Sequence, residues 1–256
     1  MGVVNVTPDS FSDGDRFLEP KAAVAHARRL IDEGADFLDI GGESSRPGAA
    51  PVSEDEELSR VLPVLQDLVR ADIPVSVDTR RPRVMTEVLK AGASMINDIA
   101  ALTAPGAFEA VAASGCGICL MHKQGDPATM QRNPRYGDVV AEVSEFLEHR
   151  ILACERNGVG RNRIAIDPGF GFGKTPQHNF SLLRNLSSLC ALGVPVVAGW
   201  SRKSSLGVVT GRPVGERLAG SLAAALLALQ GGATILRVHD VKETRDVIAV
   251  WQAWRT

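Results

Sequence analysis

Aromatic residues are scarce: one tyrosine, three tryptophans and eight phenylalanines in 256 residues leave no stacking platform on which nucleic-acid bases could be read. Charge of one sign is missing too. The 28 basic and 30 acidic residues leave a net charge of −2 and a pI near 6.2, so there is no basic field to attract nucleic acid. Long hydrophobic runs are absent. The longest nearly apolar stretch, residues 218–229, is too short for a bilayer, which needs about 20 apolar residues. The first residues, MGVVNVTPD, carry no basic region and turn polar after six positions, which is not the pattern of a signal peptide; a cytoplasmic location is expected. Cysteine is limited to positions 116, 119, 154 and 190. Cys116 and Cys119 form a C-x-x-C, but no second pair follows. In a strand, residues three apart face opposite sides, so buried, inert thiols are expected.

Two glycine motifs are also lacking. A Walker loop ending at Gly173 and Lys174 needs a glycine where Pro168 stands, and Gly169, Gly171 and Gly173 follow a G-x-G-x-G spacing that misses the dinucleotide fingerprint. The stretch that contains these glycines organises the chain. Residues 164–167, Ile-Ala-Ile-Asp, read as a buried strand ending in a carboxylate. Pro168 and the glycines then release the chain into a loop expected to move, with Phe170 and Phe172 closing over a flat ligand.

What the chain has in abundance is one repeated unit: apolar strand, polar loop, amphipathic helix and a stopping glycine. The stops are Gly34, Gly92, Gly115, Gly158, Gly193 and Gly232. Strands are expected at residues 2–5, 37–40, 75–78, 94–97, 118–121, 164–167, 194–198 and 235–238. Helix starts are marked by Pro20, by Ser53 with Glu56, and by Pro82, Pro105 and Pro213, while Pro63 is expected to kink the second helix. Eight such units match the size of one α/β domain, residues 1–256, folded as a (β/α)8 TIM barrel with its active site at the carboxyl ends of the strands. Periodicity does not show closure, so an open doubly wound sheet stands as the alternative.

In a barrel the strand ends would bring Asn5, Asp78, Asn97, His122, Asp167, Ser201, Lys203, Arg237 and His239 to one mouth. Asp39 and Asp98 read as turn or cap residues. Asp78, Asn97 and Asp167 suit the donor edge of a flat heterocycle, and Lys203 can donate to its carbonyl and ring nitrogen. Arg237 and His239 follow the eighth strand, where barrels commonly hold phosphate. Two long loops, residues 7–18 and 41–52, are expected to serve the site.

Read end to end, the motifs NVTPDSFSDG (5–14), GGESSRPG (41–48), VDT (77–79), IND (96–98), MH (121–122), DPGFGFGK (167–174), SRKS (201–204) and RVHD (237–240) closely resemble the dihydropteroate synthase family. The resemblance implies a transferase of folate biosynthesis that joins p-aminobenzoate to 6-hydroxymethyl-7,8-dihydropterin diphosphate and releases pyrophosphate. It implies that Asp78, Asn97, Met121, Asp167, Lys203 and Arg237 hold the pterin. Asn5, Ser45, Arg237 and His239 would bind the diphosphate, with Asn5 contacting Mg2+. Arg46, Pro47, Phe172, Lys203 and Ser204 would enclose p-aminobenzoate. Asp78, Lys203, Arg237 and His239 would serve a dissociative reaction in which pyrophosphate leaves first. Sulfonamides as inhibitors and a homodimer are implied as well. Ser45 stands where Thr is common, Asp15 where a second glycine often follows Gly14, and Lys123 where an apolar residue is frequent. Two rivals remain: a pterin-dependent methyltransferase serving a corrinoid protein, which has no need of the 201–204 motif or of Arg237 with His239, and a non-catalytic pterin-binding relative, which would have lost site residues.

Overall fold

Residues 1–6, 18–44, 51–126 and 129–256 are described in the structure, a computed structural model. The strands are β1 (Gly2–Asn5), β2 (Leu38–Gly41), β3 (Val75–Asp78), β4 (Met95–Asp98), β5 (Gly117–Met121), β6 (Ile164–Asp167), β7 (Val197–Ala198) and β8 (Ile235–Leu236). Between and after them run α1 (Leu18–Asp32), α2 (Glu54–Val69), α3 (Pro82–Lys90), α4 (Ala107–Ala112), α5 (Val139–Arg156), α6 (Pro176–Arg184), α7 (Leu186–Cys190), α8 (Ser204–Thr210), α9 (Leu218–Gln230) and α10 (Val241–Arg255).

Parallel ladders join β1 to β6 in chain order and β7 to β8. Two parallel bridges complete the ring, Ile166 to Val196 and Gly2 to Val238. At the second seam Val3 N donates to Val238 O and Val238 N to Met1 O, each at 3.0 Å. The sheet is closed, which excludes the open arrangement. β7 is shorter than the sequence suggests, in keeping with Pro195, which has no N–H to give to a ladder.

Strand alternation divides the side chains between two environments. Val4, Leu38, Ile40, Val77, Ile96 and Ile118, all 0% exposed, pack outward with the helices in one continuous core. Cys119, Ala165 and Val197 form a separate small cluster, edged by Met95 and Ile235, inside the ring. Cys116 belongs to the outer core and Cys119 to the inner cluster, as their spacing requires, and both are free thiols. Burial pushes the Cys119 thiol well above its usual range.

The helices follow their local signals. Ser53 accepts the Glu56 N–H at 3.1 Å at the start of α2, and Leu58, Val61, Leu65 and Leu68 line its buried face. Helix α2 continues through Pro63, and Pro82 sits in the first turn of α3. Pro213 opens a single 3-10 turn at residues 214–216, and α9 begins only at Leu218. The six glycines expected to stop helices all take positive φ, from 71° at Gly115 to 104° at Gly92. Among the described residues, no helix is long and apolar enough to cross a membrane.

Candidate active site

Because strands alternate, a residue at the carboxyl end of each strand faces either the barrel axis or the helices. Asp78 and Asn97 are register partners on β3 and β4, and Met121 and Asp167 are partners on β5 and β6. Asp98, one residue past Asn97, faces the other way. Its carboxylate accepts the N–H groups of Ala100 and Leu102, each at 2.7 Å, so it is the turn residue the sequence suggested.

Asp39 is different. The sequence reads it as a turn or cap residue, but it lies wholly buried in the barrel, where its Oδ2 accepts from Arg237 Nε at 2.7 Å and from Asn97 Nδ2 at 3.2 Å. Arg237 Nη2 donates to Asp78 Oδ2 at 3.1 Å. One guanidinium therefore spans two carboxylates from adjacent strands. A polar residue between Leu38 and Ile40, on the inward face of an apolar strand, was the signal that could have revealed it.

Charge is concentrated here. Burial and the neighbouring Asp39 hold the Asp78 carboxyl up to about 7, although Arg237 pulls it down. Burial also raises Asp167, opposed by the Gly169 N–H and then by Lys203. Burial and Arg237 lower Lys203 to about 8. Burial works against the Arg237 cation too, but Asp39 and Asp78 outweigh it and the guanidinium stays charged.

Lys203 precedes α8, with its Nζ over the Phe172 ring at 4.3 Å from the centroid. Ser204 is the exposed first residue of that helix. Phe172 is half-buried, but Phe170 is 1% exposed and packs on Trp200 at 4.8 Å. Phe170 is thus a core residue and does not close over a ligand. The Gly169 to Gly173 loop is also tighter than expected. Gly169 has φ 68°, and a Cβ there would lie 1.8 Å from His122 O.

His239 follows β8, with its ring Nδ1 2.9 Å from Ser201 Oγ, which also accepts the His239 N–H at 3.2 Å. Burial and Arg237 lower this histidine to about 3, so its ring is neutral. Asn5 ends β1, half-buried and with no side-chain hydrogen bond to the described residues. Ser45, Arg46 and Pro47 lie outside the described residues. The residues flanking them are tied by Arg81, which donates to Glu43 Oε1 at 3.1 Å and also to Val52 O. Among the described residues there is no group of three or more His, Cys, Asp or Glu side chains able to hold a metal.

The closed barrel thus carries at its mouth two carboxylates bridged by an arginine, with a lysine beside them. The chain belongs to the family of pterin binding enzymes, whose model matches residues 1–239. Its relatives place it among the dihydropteroate synthases of that family. It is 49% identical over 254 residues to dihydropteroate synthase of Escherichia coli K12, covering 99% of this chain and 90% of that one. The dihydropteroate synthase of Xanthomonas albilineans with 4-aminobenzoic acid is 55% identical, with a TM-score of 0.96 over 100% of this chain and 92% of that one. A second structure of that enzyme, in complex with 7,8-dihydropteroate, gives a TM-score of 0.92 at 53% identity, over 100% of this chain and 93% of that one. The Yersinia pestis enzyme, in a sulfonamide drug complex, is 48% identical with a TM-score of 0.95, over 100% of this chain and 93% of that one.

Proposed function

We propose that the chain condenses p-aminobenzoate with 6-hydroxymethyl-7,8-dihydropterin diphosphate to give 7,8-dihydropteroate and pyrophosphate, and that sulfonamides compete for the p-aminobenzoate site. The observation that carries this reading is Arg237 held between Asp39 and Asp78 beside Asp167 and Lys203, a rim with acceptors for a pterin edge and cations for its diphosphate.

Asp78, Asn97 and Asp167 accept and donate along the ring edge, Lys203 donates to its carbonyl side, and Met121 packs against the ring. Arg237, His239, Asn5 and Ser45 take the diphosphate. The carbon–oxygen bond to the diphosphate breaks first and its electron pair leaves with the pyrophosphate. The remaining pterin methylene is a cation, and the Asp78 carboxylate stabilises it by charge. With a carboxyl near 7, Asp78 is ionised more fully as that cation forms. The aniline nitrogen of p-aminobenzoate, held by Arg46, Pro47, Phe172, Ser204 and the stem of Lys203, then forms the new carbon–nitrogen bond with its lone pair and releases its proton to water. His239 is neutral before substrate binds, so it serves first as an N–H donor to the leaving group.

Mg2+ suits this donor set as a substrate-borne ion, since a hard cation keeps most of its waters and phosphate oxygens and needs few protein ligands. Asn5, whose carboxamide has no hydrogen bond among the described residues, would supply one oxygen. When bound, the ion offsets negative charge on the departing pyrophosphate. A homodimer is also proposed: Val208, Val209 and Val214, 69%, 60% and 58% exposed around α8, offer an apolar face to a second copy. A cytoplasmic location fits the dependence on these soluble substrates.

The test is to mix protein, Mg2+, the pterin diphosphate and p-aminobenzoate, and to follow pyrophosphate together with the mass of dihydropteroate. Formation of both only when all components are present is expected. Pyrophosphate without the coupled product, or neither, would overturn the assignment.

A further inference from the structure

Lys174 closes the 167–174 motif, yet it is 2% exposed and has no carboxylate within ion-pair distance among the described residues. Its Nζ instead meets His122 Nδ1 at 2.9 Å, Gly169 O at 3.0 Å and Phe172 O at 3.1 Å. When Lys174 is protonated it only donates, so His122 Nδ1 is then the acceptor and the ring is neutral with its proton on Nε2. Burial and Lys174 lower His122 to about 3, in keeping with that state.

These bonds lead directly to the site. The Gly169 peptide is held from both sides: its N–H goes to Asp167 Oδ1 at 2.7 Å, and its carbonyl accepts from Lys174. The Phe172 carbonyl, next to the ring beneath Lys203, is held by the same ammonium. The adjoining chain offers no slack, because a Cβ at Gly173 would lie 2.3 Å from Gln124 O.

The charge on this lysine does not stabilise the fold. Burial lowers it from 10.5 to about 7, so the unfolded chain holds the proton more tightly. The group works against folding in full below about 7, and the penalty fades only as pH rises toward 10.5. A costly buried cation beside a binding loop points to a role in the site.

We propose that Lys174 is a positioning residue: it fixes the loop that orients Asp167 and carries Phe172, and its charge favours the Asp167 carboxylate. The proposal rests on the pterin and p-aminobenzoate assignments above. The charged and titratable groups around it are His122 from the end of β5, Asp167 from β6, Lys203 before α8, and Tyr136, whose hydroxyl donates to Gly173 O at 2.9 Å. Lys174 is one of the cations that pull Asp167 down against burial.

Lys174→Met and Lys174→Gln test this, each first checked for folding by circular dichroism and melting. The expected result is a rise of about tenfold in KM for p-aminobenzoate and a fall of ten- to a hundredfold in kcat/KM for the pterin diphosphate. Carbon-13 NMR of labelled aspartates, without substrate, should show the Asp167 carboxyl titrating at least half a unit higher than in the parent protein. Altered melting with KM values and the Asp167 titration unchanged would overturn the proposal, as would failure of both variants to fold. Because the NMR titration needs no turnover, it separates failure of this inference from failure of the assigned reaction.

Discussion

Arg237 and Asp39 are 198 positions apart in sequence and joined at 2.7 Å between Nε and Oδ2 inside the barrel. That bond aims the rest of the guanidinium at Asp78 and makes Asp39 part of the site without touching the rim. Asp39→Asn keeps the shape but removes the charge that pairs with a buried cation. A loss of about 3 kcal/mol in stability by urea denaturation is expected, from breaking a buried ion pair on one side. Binding of pyrophosphate, measured by calorimetry, should weaken as Arg237 loses its anchor.

Asp78 gives a pH signature. Its carboxyl sits at about 7 in the fold against an ordinary 3.8, so the folded state binds the proton more tightly. Stability is therefore expected to fall as pH rises from about 4 to about 7. Asp98, raised to about 6 mainly by burial, and Asp167, also raised, act in the same direction. Asp78→Asn should reduce the slope of melting temperature against pH without abolishing it. The same variant should lower kcat by about a hundredfold or more, while pterin binding changes much less. Unchanged turnover would remove the charge-stabilising role.

Gly169→Ala tests the loop. The new methyl would meet His122 O at 1.8 Å from a backbone at φ 68°, so a severe loss of stability or failure to fold is expected. Gly211, with φ 70° and nothing within 4 Å of a built Cβ, is the control. Gly211→Ala should cost only about 1 kcal/mol, the strain of the left-handed backbone alone.

Thiol labelling checks the packing around β5. Cys116, Cys119 and Cys154 are buried and Cys190 is half-buried. With a thiol reagent at pH 8, Cys190 should react slowly and the other three only after unfolding. Rapid reaction of Cys119 would contradict a packed barrel interior.

Much of this molecule was legible from its residues alone. Eight apolar runs, each stopped by polar residues and six of them preceded by a helix that a glycine ends, are local signals, and the structure returns every strand close to where the pattern puts it. The alternation that turns Asp78, Asn97, Met121 and Asp167 to one side is likewise a property of a single strand.

Closure of the ring, the burial of Phe170 against Trp200, the pairing of Asp39 with Arg237 and the coordination of Lys174 by three neighbours were decided only in three dimensions. Each depends on contacts between segments distant in the chain, such as residue 2 against residue 238 or residue 122 against residue 174. A sequence pattern records which face a side chain takes along its own strand or helix. It does not record what stands opposite, and for a buried charge that opposing group determines whether it is a structural liability or part of a site.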